Sequence, residues 1–167
     1  MLGRLDNRLL YAWRTRFHGP GMVSFATFLG RIGEWGSVWV LTGVILALAV
    51  PDHRGEFLAA GFLATFSIGI NFAVKVVVRR PRPVLEGLPP LGTAPSSLSF
   101  PSAHTTAGFA AATAMTRIEP ACAVLFVLAA AIAWCRPYLG MHYPSDVLAG
   151  VVLGVGLGFA LPLGLFS

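Results

Sequence analysis

The sequence predicts an all-α fold, a polytopic transmembrane helix bundle, on three observations. Of its 167 residues 56% are hydrophobic and only 11% charged, with a mean hydropathy of +0.74, whereas a soluble domain carries about 25% charged residues. Apolar runs of helical length follow one another between short Pro-, Gly- and Arg-containing breaks. The few costly polar side chains collect at the ends of those runs, between Lys75 and Asp146. The reading is about five spans plus an N-terminal interfacial amphipathic helix, with residues 1–33 as the interfacial segment and 34–167 as the transmembrane domain.

Composition narrows the partners. The net charge of +5 points to anionic membrane lipids, and no basic, aromatic-interleaved patch speaks for nucleic acid. Cys122 and Cys135 fall in or beside one apolar run. A helix would hold them roughly 20 Å apart at 1.5 Å per residue, too far for a disulfide, and they form no metal pattern. Arg4, Arg8, Arg14 and Arg16 interrupt any signal-peptide core.

In residues 2–17, Leu2, Leu5, Leu9, Tyr11 and Trp13 interleave with arginines at helical spacing. The expectation is a helix in the membrane interface with its guanidinium groups at the head groups. Gly19-Pro20-Gly21 breaks it. Met22–Ile32 is too short to cross about 30 Å of hydrocarbon and is expected to stay interfacial. The first span is Gly36–Val50, with Trp35 and Trp39 as interface anchors. Phe57–Val78 is the clearest span and carries Lys75, the only lysine, in its last turn. Residues 79–101 form a connection long enough to expect a function of it, and Leu85, Leu88, Leu91 and Phe100 could rim a lipid entrance. His104–Thr116, Ala121–Trp134 and Ser145–Leu165 complete the spans, the last with Gly150, Gly154 and Gly158 in one row suited to close helix packing. Arg79 and Arg80 are expected to snorkel, Asn71 to pack against a neighbouring helix or water, and His18 and His53 to be ordinary solvated histidines.

Alternating spans bring Lys75, Arg82, His104, Arg136, His142 and Asp146 to one mouth. Three cations match the oxygens of a phosphate, and Ser102, before a helix start, can add its hydroxyl and the free amides behind it. His142 and Asp146 are one turn apart, so the carboxylate can orient the imidazole for attack. His104 is then placed to protonate the leaving oxygen. Nucleophile, orienter, acid and anion clamp add up to phosphoryl transfer through a phosphohistidine.

Lys75 followed by Arg82-Pro83, then Pro101-Ser102-Ala103-His104, then Cys135-Arg136 with His142 and Asp146, resemble the three motifs of the type 2 phosphatidic acid phosphatase (PAP2) and vanadium haloperoxidase superfamily. The motifs run Lys-x6-Arg-Pro, Pro-Ser-Gly-His and Ser-Arg-x5-His-x3-Asp. The resemblance covers about residues 35–165, keeps every spacing, and departs at Ala103 and Cys135. It implies phosphate binding by Lys75, Arg82, Ser102, the amides around Ala103, and Arg136, with His104 as acid, His142 as nucleophile and Asp146 as its partner. It also implies a small bacterial integral-membrane hydrolase of lipid metabolism at the cell envelope, without metal or other cofactor. The expected substrate is a lipid phosphate or diphosphate: polyprenyl (undecaprenyl above all), phosphatidylglycerol phosphate, phosphatidic acid or lipid A. A vanadate-binding, haloperoxidase-like enzyme and a non-catalytic lipid-binding membrane protein are the rivals. The bacterial plasma membrane is the expected location. Arginine counts place the site on the cytoplasmic side and the resemblance on the opposite one; oligomeric state stays open.

Overall fold

The structure, a computed structural model, describes residues 2–16, 19–91 and 98–166. Among them the regular structure is entirely helical: α1 (Leu2–Arg16), α2 (Pro20–Ile32), α3 (Ser37–Ala49), α4 (Arg54–Val78), α5 (Ala103–Ile118), α6 (Leu125–Tyr138) and α7 (Pro144–Ala160), with short 3-10 turns between some of them. His18 lies outside the described residues.

Helix α5 is the axis of the bundle, packed against α4, α6 and α7. Its small residues explain this placement, because Ala107, Ala110, Ala111 and Ala114 are buried and let neighbouring backbones approach. The glycine row of α7 meets this helix. A Cβ on Gly154 would lie 2.5 Å from the Thr106 carbonyl oxygen, and one on Gly158 2.5 Å from Thr113 Cβ. Asn71, fully buried in α4, donates to Thr106 Oγ1 at 3.0 Å, tying α4 to α5. Outward, Phe62, Phe66, Phe72, Val77 and Val152 are exposed, as lipid contact requires.

A helix occupies each of the five positions where the sequence predicts a span. Two segments, Pro51–Val78 and Pro120–Tyr138, are individually long and apolar enough to cross a membrane. Pro20–Ile32 and Glu34–Ala49 together pass the same test as a pair bent by 49°. The last helix is shorter than expected and stops at Ala160, because Pro162 disfavours helix at the residue before it.

Three expectations are corrected. Trp39 is no interface anchor: it is fully buried and packs on Gly108. Arg14 does not reach head groups. It is 2% exposed, and its guanidinium donates to the carbonyls of Leu88 (3.1 Å) and Pro89 (2.7 Å), pinning the 79–91 connection to α1. Arg80 does not snorkel. It turns inward onto Asp6 and Asp146. Arg79, in the left-handed conformation (φ 53), ends α4 and points outward as expected, and that reversal separates the two neighbours.

Candidate active site

The second half of α4, the start of α5, the end of α6, the turn after α2 and the connections that carry Arg82 and His142 meet at one cavity of about 230 Å³. Its walls are Gly33, Glu34, Trp35, Ile68, Lys75, Arg82, Ala103, His104, Arg136 and His142. Six sequence-predicted residues therefore line one space: Lys75, Arg82, Ala103, His104, Arg136 and His142. Asp146 and Ser102 lie just behind the wall, both fully buried.

Two of the three cations are held by backbone oxygens. Lys75 Nζ donates to the carbonyls of Leu98 (2.8 Å) and Ser99 (3.2 Å). Arg82 donates to the Met141 carbonyl at 2.6 Å. Burial and the neighbouring Arg136 charge lower the Arg82 pKa to about 10, so it remains cationic at neutral pH. Arg136 is 7% exposed, and its Nε has no hydrogen-bond partner among the described residues. The buried Lys75 and Arg136 and the half-buried Arg82 repel one another, and an anion between them relieves that repulsion.

His142 is 3% exposed, with Nδ1 3.6 Å from Asp146 Oδ2. That distance exceeds a hydrogen bond but keeps the carboxylate within strong electrostatic reach. Burial, and then the charges of Arg136, Arg82 and Lys75, depress the His142 pKa well below its ordinary value, leaving a neutral imidazole at neutral pH. Asp146 is fixed from two sides: Oδ1 accepts from Arg80 at 2.7 Å and Oδ2 from the Tyr143 amide at 2.9 Å. His104 Nε2 lies 3.1 Å from the Gly30 carbonyl. A carbonyl can only accept, so Nε2 carries the proton and Nδ1 is left to exchange one with a ligand.

The two motif departures find local solutions. Ala103 opens α5 and is not among the residues with positive φ, so its methyl causes no backbone strain. Cys135 Sγ turns to the Ile132 carbonyl at 3.0 Å, away from the cavity. The Ser102 hydroxyl accepts from Thr105 Oγ1 at 3.0 Å, and the Ser102 amide donates to the Asp146 carbonyl at 3.0 Å, joining the second motif to the third. Among the described residues, Leu85, Leu88, Leu91 and Phe100 do not line the cavity; Trp35 and Ile68 supply its apolar wall.

Sequence reasoning missed Arg80, Glu34 and the glycines of α2. A Cβ on Gly30 would lie 3.1 Å from an Arg136 guanidinium nitrogen, and one on Gly33 3.1 Å from His104 Cδ2. The only sequence signal for these glycines is their spacing of three at the end of an apolar run. Glu34 is a lone acid at the head of the first predicted span, which is a weak signal on its own.

A helical bundle presenting two histidines and three cations to one cavity at its helix ends defines a membrane phosphoryl-transfer enzyme. The chain belongs to the PAP2 superfamily, whose model matches residues 56–166. It is 40% identical over 139 residues to decaprenylphosphoryl-5-phosphoribose phosphatase of Mycobacterium tuberculosis, covering 83% of this chain and 78% of that one. It is 32% identical over 142 residues to the putative undecaprenyl-diphosphatase YbjG of Escherichia coli, covering 81% and 70%. The crystal structure of Aquifex aeolicus LpxE superimposes with a TM-score of 0.77 at 28% identity, covering 93% of each chain. The protein is a metal-independent lipid phosphatase of bacterial membranes, working through the family's phosphohistidine chemistry.

Proposed function

We propose that the substrate is a phosphate monoester on a polyprenyl-linked sugar, hydrolysed at the surface of the bacterial plasma membrane with α1 in the interface. The observation that supports this most is the single cavity shared by His104, His142, Lys75, Arg82 and Arg136. The three cations take the phosphate oxygens, with the amides of Ala103 and His104 at the start of α5 as further donors. His104 first takes at Nδ1 the proton that a monoanionic phosphate ester brings; His142 attacks phosphorus through Nε2, Asp146 steadies the resulting positive ring, and His104 passes that proton to the departing oxygen. The bond to the leaving group breaks as the P–N bond forms. His104, now neutral, takes a proton from water, and the hydroxide displaces His142 to release inorganic phosphate.

Glu34 supports the sugar-linked monoester over a diphosphate. Its carboxylate faces the same cavity near Arg136. A second phosphate there would be repelled, whereas sugar hydroxyls can donate to it. The relative named for a decaprenylphosphoryl phosphoribose points the same way. The test is phosphate release by the purified protein from decaprenylphosphoryl-5-phosphoribose, undecaprenyl diphosphate, phosphatidylglycerol phosphate and phosphatidic acid, with and without EDTA. The expected result is highest kcat/KM for the first, unaffected by chelator and abolished in His142→Ala. Persisting turnover in His142→Ala removes the proposed nucleophile, and a preference for the diphosphate removes the proposed substrate class.

A further inference from the structure

Helix α1 has an unusual buried face. Asp6, Leu10 and Arg14, one turn apart, are all at most 4% exposed, while Leu5 and Leu9 are 55% and 45% exposed. A helix that served only to float in the interface would turn its leucines to lipid, as here, and its charges to solvent and head groups. Here a carboxylate is taken out of solvent, which is costly unless it is fully paired.

The pairing is complete and leads into the active site. Asp6 Oδ1 accepts from the Ser145 amide at 3.1 Å. Asp6 Oδ2 accepts from the Ser145 hydroxyl at 2.6 Å and from Arg80 Nη2 at 2.7 Å. The other arm of the same guanidinium, Nη1, donates to Ser145 Oγ and to Asp146 Oδ1, each at 2.7 Å. The guanidinium also lies 4.0 Å over the Tyr143 ring. Burial alone would raise the Asp6 pKa, but the bonds from Ser145 and Arg80 outweigh it and keep the group ionised.

We infer that Asp6 is a positioning residue for the phosphoryl-transfer step, acting through Arg80 and Ser145 on the Asp146–His142 pair. One guanidinium is shared between two carboxylates. With Asp6 ionised, Arg80 is drawn toward both, and Asp146 retains negative charge for His142. With Asp6 neutral, the whole guanidinium charge falls on Asp146. The carboxylate then stabilises a positive imidazole less, and Asp146 loses one constraint on its orientation. The phosphate clamp of Lys75, Arg82 and Arg136 includes none of these groups, so substrate binding is largely spared. The N-terminal helix is thereby part of the catalytic apparatus, although its sequence carries none of the three motifs.

The inference rests on the phosphohistidine reading, so the experiment separates the two. Full-length protein in nanodiscs is assayed for phosphate release alongside His142→Ala, which tests that reading alone. Asp6→Asn keeps the shape and removes the charge. Its expected effect is a loss of roughly tenfold or more in kcat, with KM within about twofold and an unchanged helical melting profile. Asp6→Glu should recover part of the loss. In an Arg80→Gln background, Asp6→Asn should cost little more, because the route through Arg80 is already cut. Wild-type kcat in Asp6→Asn, a loss that appears in KM instead, or fully additive losses in the double variant each overturn the inference. If Asp6→Asn yields little folded protein, Ser145→Ala, which removes one bridge and keeps both charges, must show a partial loss confined to kcat; wild-type kcat in that variant is equally fatal.

Discussion

The His142 imidazole is held neutral by burial and by the three cations that face it, and this has a consequence for stability as well as for reactivity. Its folded-state pKa lies well below the ordinary value of 6.5. Between those two values the unfolded chain binds a proton that the folded one does not, so stability is lost as pH falls below about 6.5. Above 6.5 this group contributes no slope. Thermal unfolding in detergent should therefore show a midpoint that declines from pH 6.5 to 5, and His142→Gln should flatten that decline. An unaltered slope in His142→Gln would mean that other groups set the acid limb. At the same scale, the residues proposed for the chemistry were legible because the family motifs fix their types and spacings. Arg80 was not, since nothing in the sequence tells it from Arg79; the left-handed turn at Arg79 decides which of them faces inward. Trp39 was misread for a related reason. Tryptophan suits both an interface belt and a helix crossing, and only the bare Gly108 on the facing helix selects the second.

Among the elements, α5 and α7 carry the site between them: His104 sits in the first turn of one, and Asp146 in the first turn of the other. Their separation is set by backbone contact at the glycine row. A Cβ at position 154 would sit 2.5 Å from a backbone oxygen and 3.0 Å from the Ala110 nitrogen, and neither atom can move aside without its helix. Gly154→Ala should destabilise the bundle by about 1–3 kcal/mol and lower activity beyond the loss of folded protein, because it spreads the histidines apart. Gly156→Ala, with nothing within 4 Å of its Cβ, is the control and should melt as the parent does. A melting midpoint for Gly154→Ala equal to that control would show that the helices part without cost. Five helices could be placed from hydropathy alone, and the glycine row from its spacing. The inward face of α1 could not, since leucines and arginines at helical spacing read as an amphipathic surface helix. Its buried stripe carries Asp6 and Arg14 on either side of Leu10, and partners 74 and 139 residues away compensate the Asp6 charge.

Across the molecule, charge is distributed unevenly about the cavity. Arg4, Arg8, Arg16, Arg31 and Arg79 are exposed and belong to α1, α2 and the end of α4, the elements that reach the site side of the bundle. Against these five stand the exposed acids Glu34 and Glu86 on the same side, whereas at the opposite ends of the helices the exposed arginines Arg54 and Arg117 are matched by the acidic Asp52 and Glu119. Arg14 and Arg80, by contrast, are consumed internally and add nothing to the outer field. The mouth is thus the positive end of the protein, and a lipid phosphate diffusing in the bilayer is drawn toward it before any contact with Lys75 or Arg136. Such steering acts over a Debye length, about 10 Å at 0.1 M salt and 3 Å at 1 M. The buried clamp is screened far less. Raising salt from 0.05 to 1 M in nanodiscs of uncharged lipid should therefore raise KM several-fold while kcat stays nearly constant. Replacing Arg4, Arg8 and Arg16 together with Gln should reproduce the higher KM at low salt and remove most of the salt dependence. A salt effect of equal size in the triple variant would assign the sensitivity to the cavity itself, and a fall in kcat with salt would mean that the Asp6–Arg80–Asp146 chain is more open to solvent than its burial indicates.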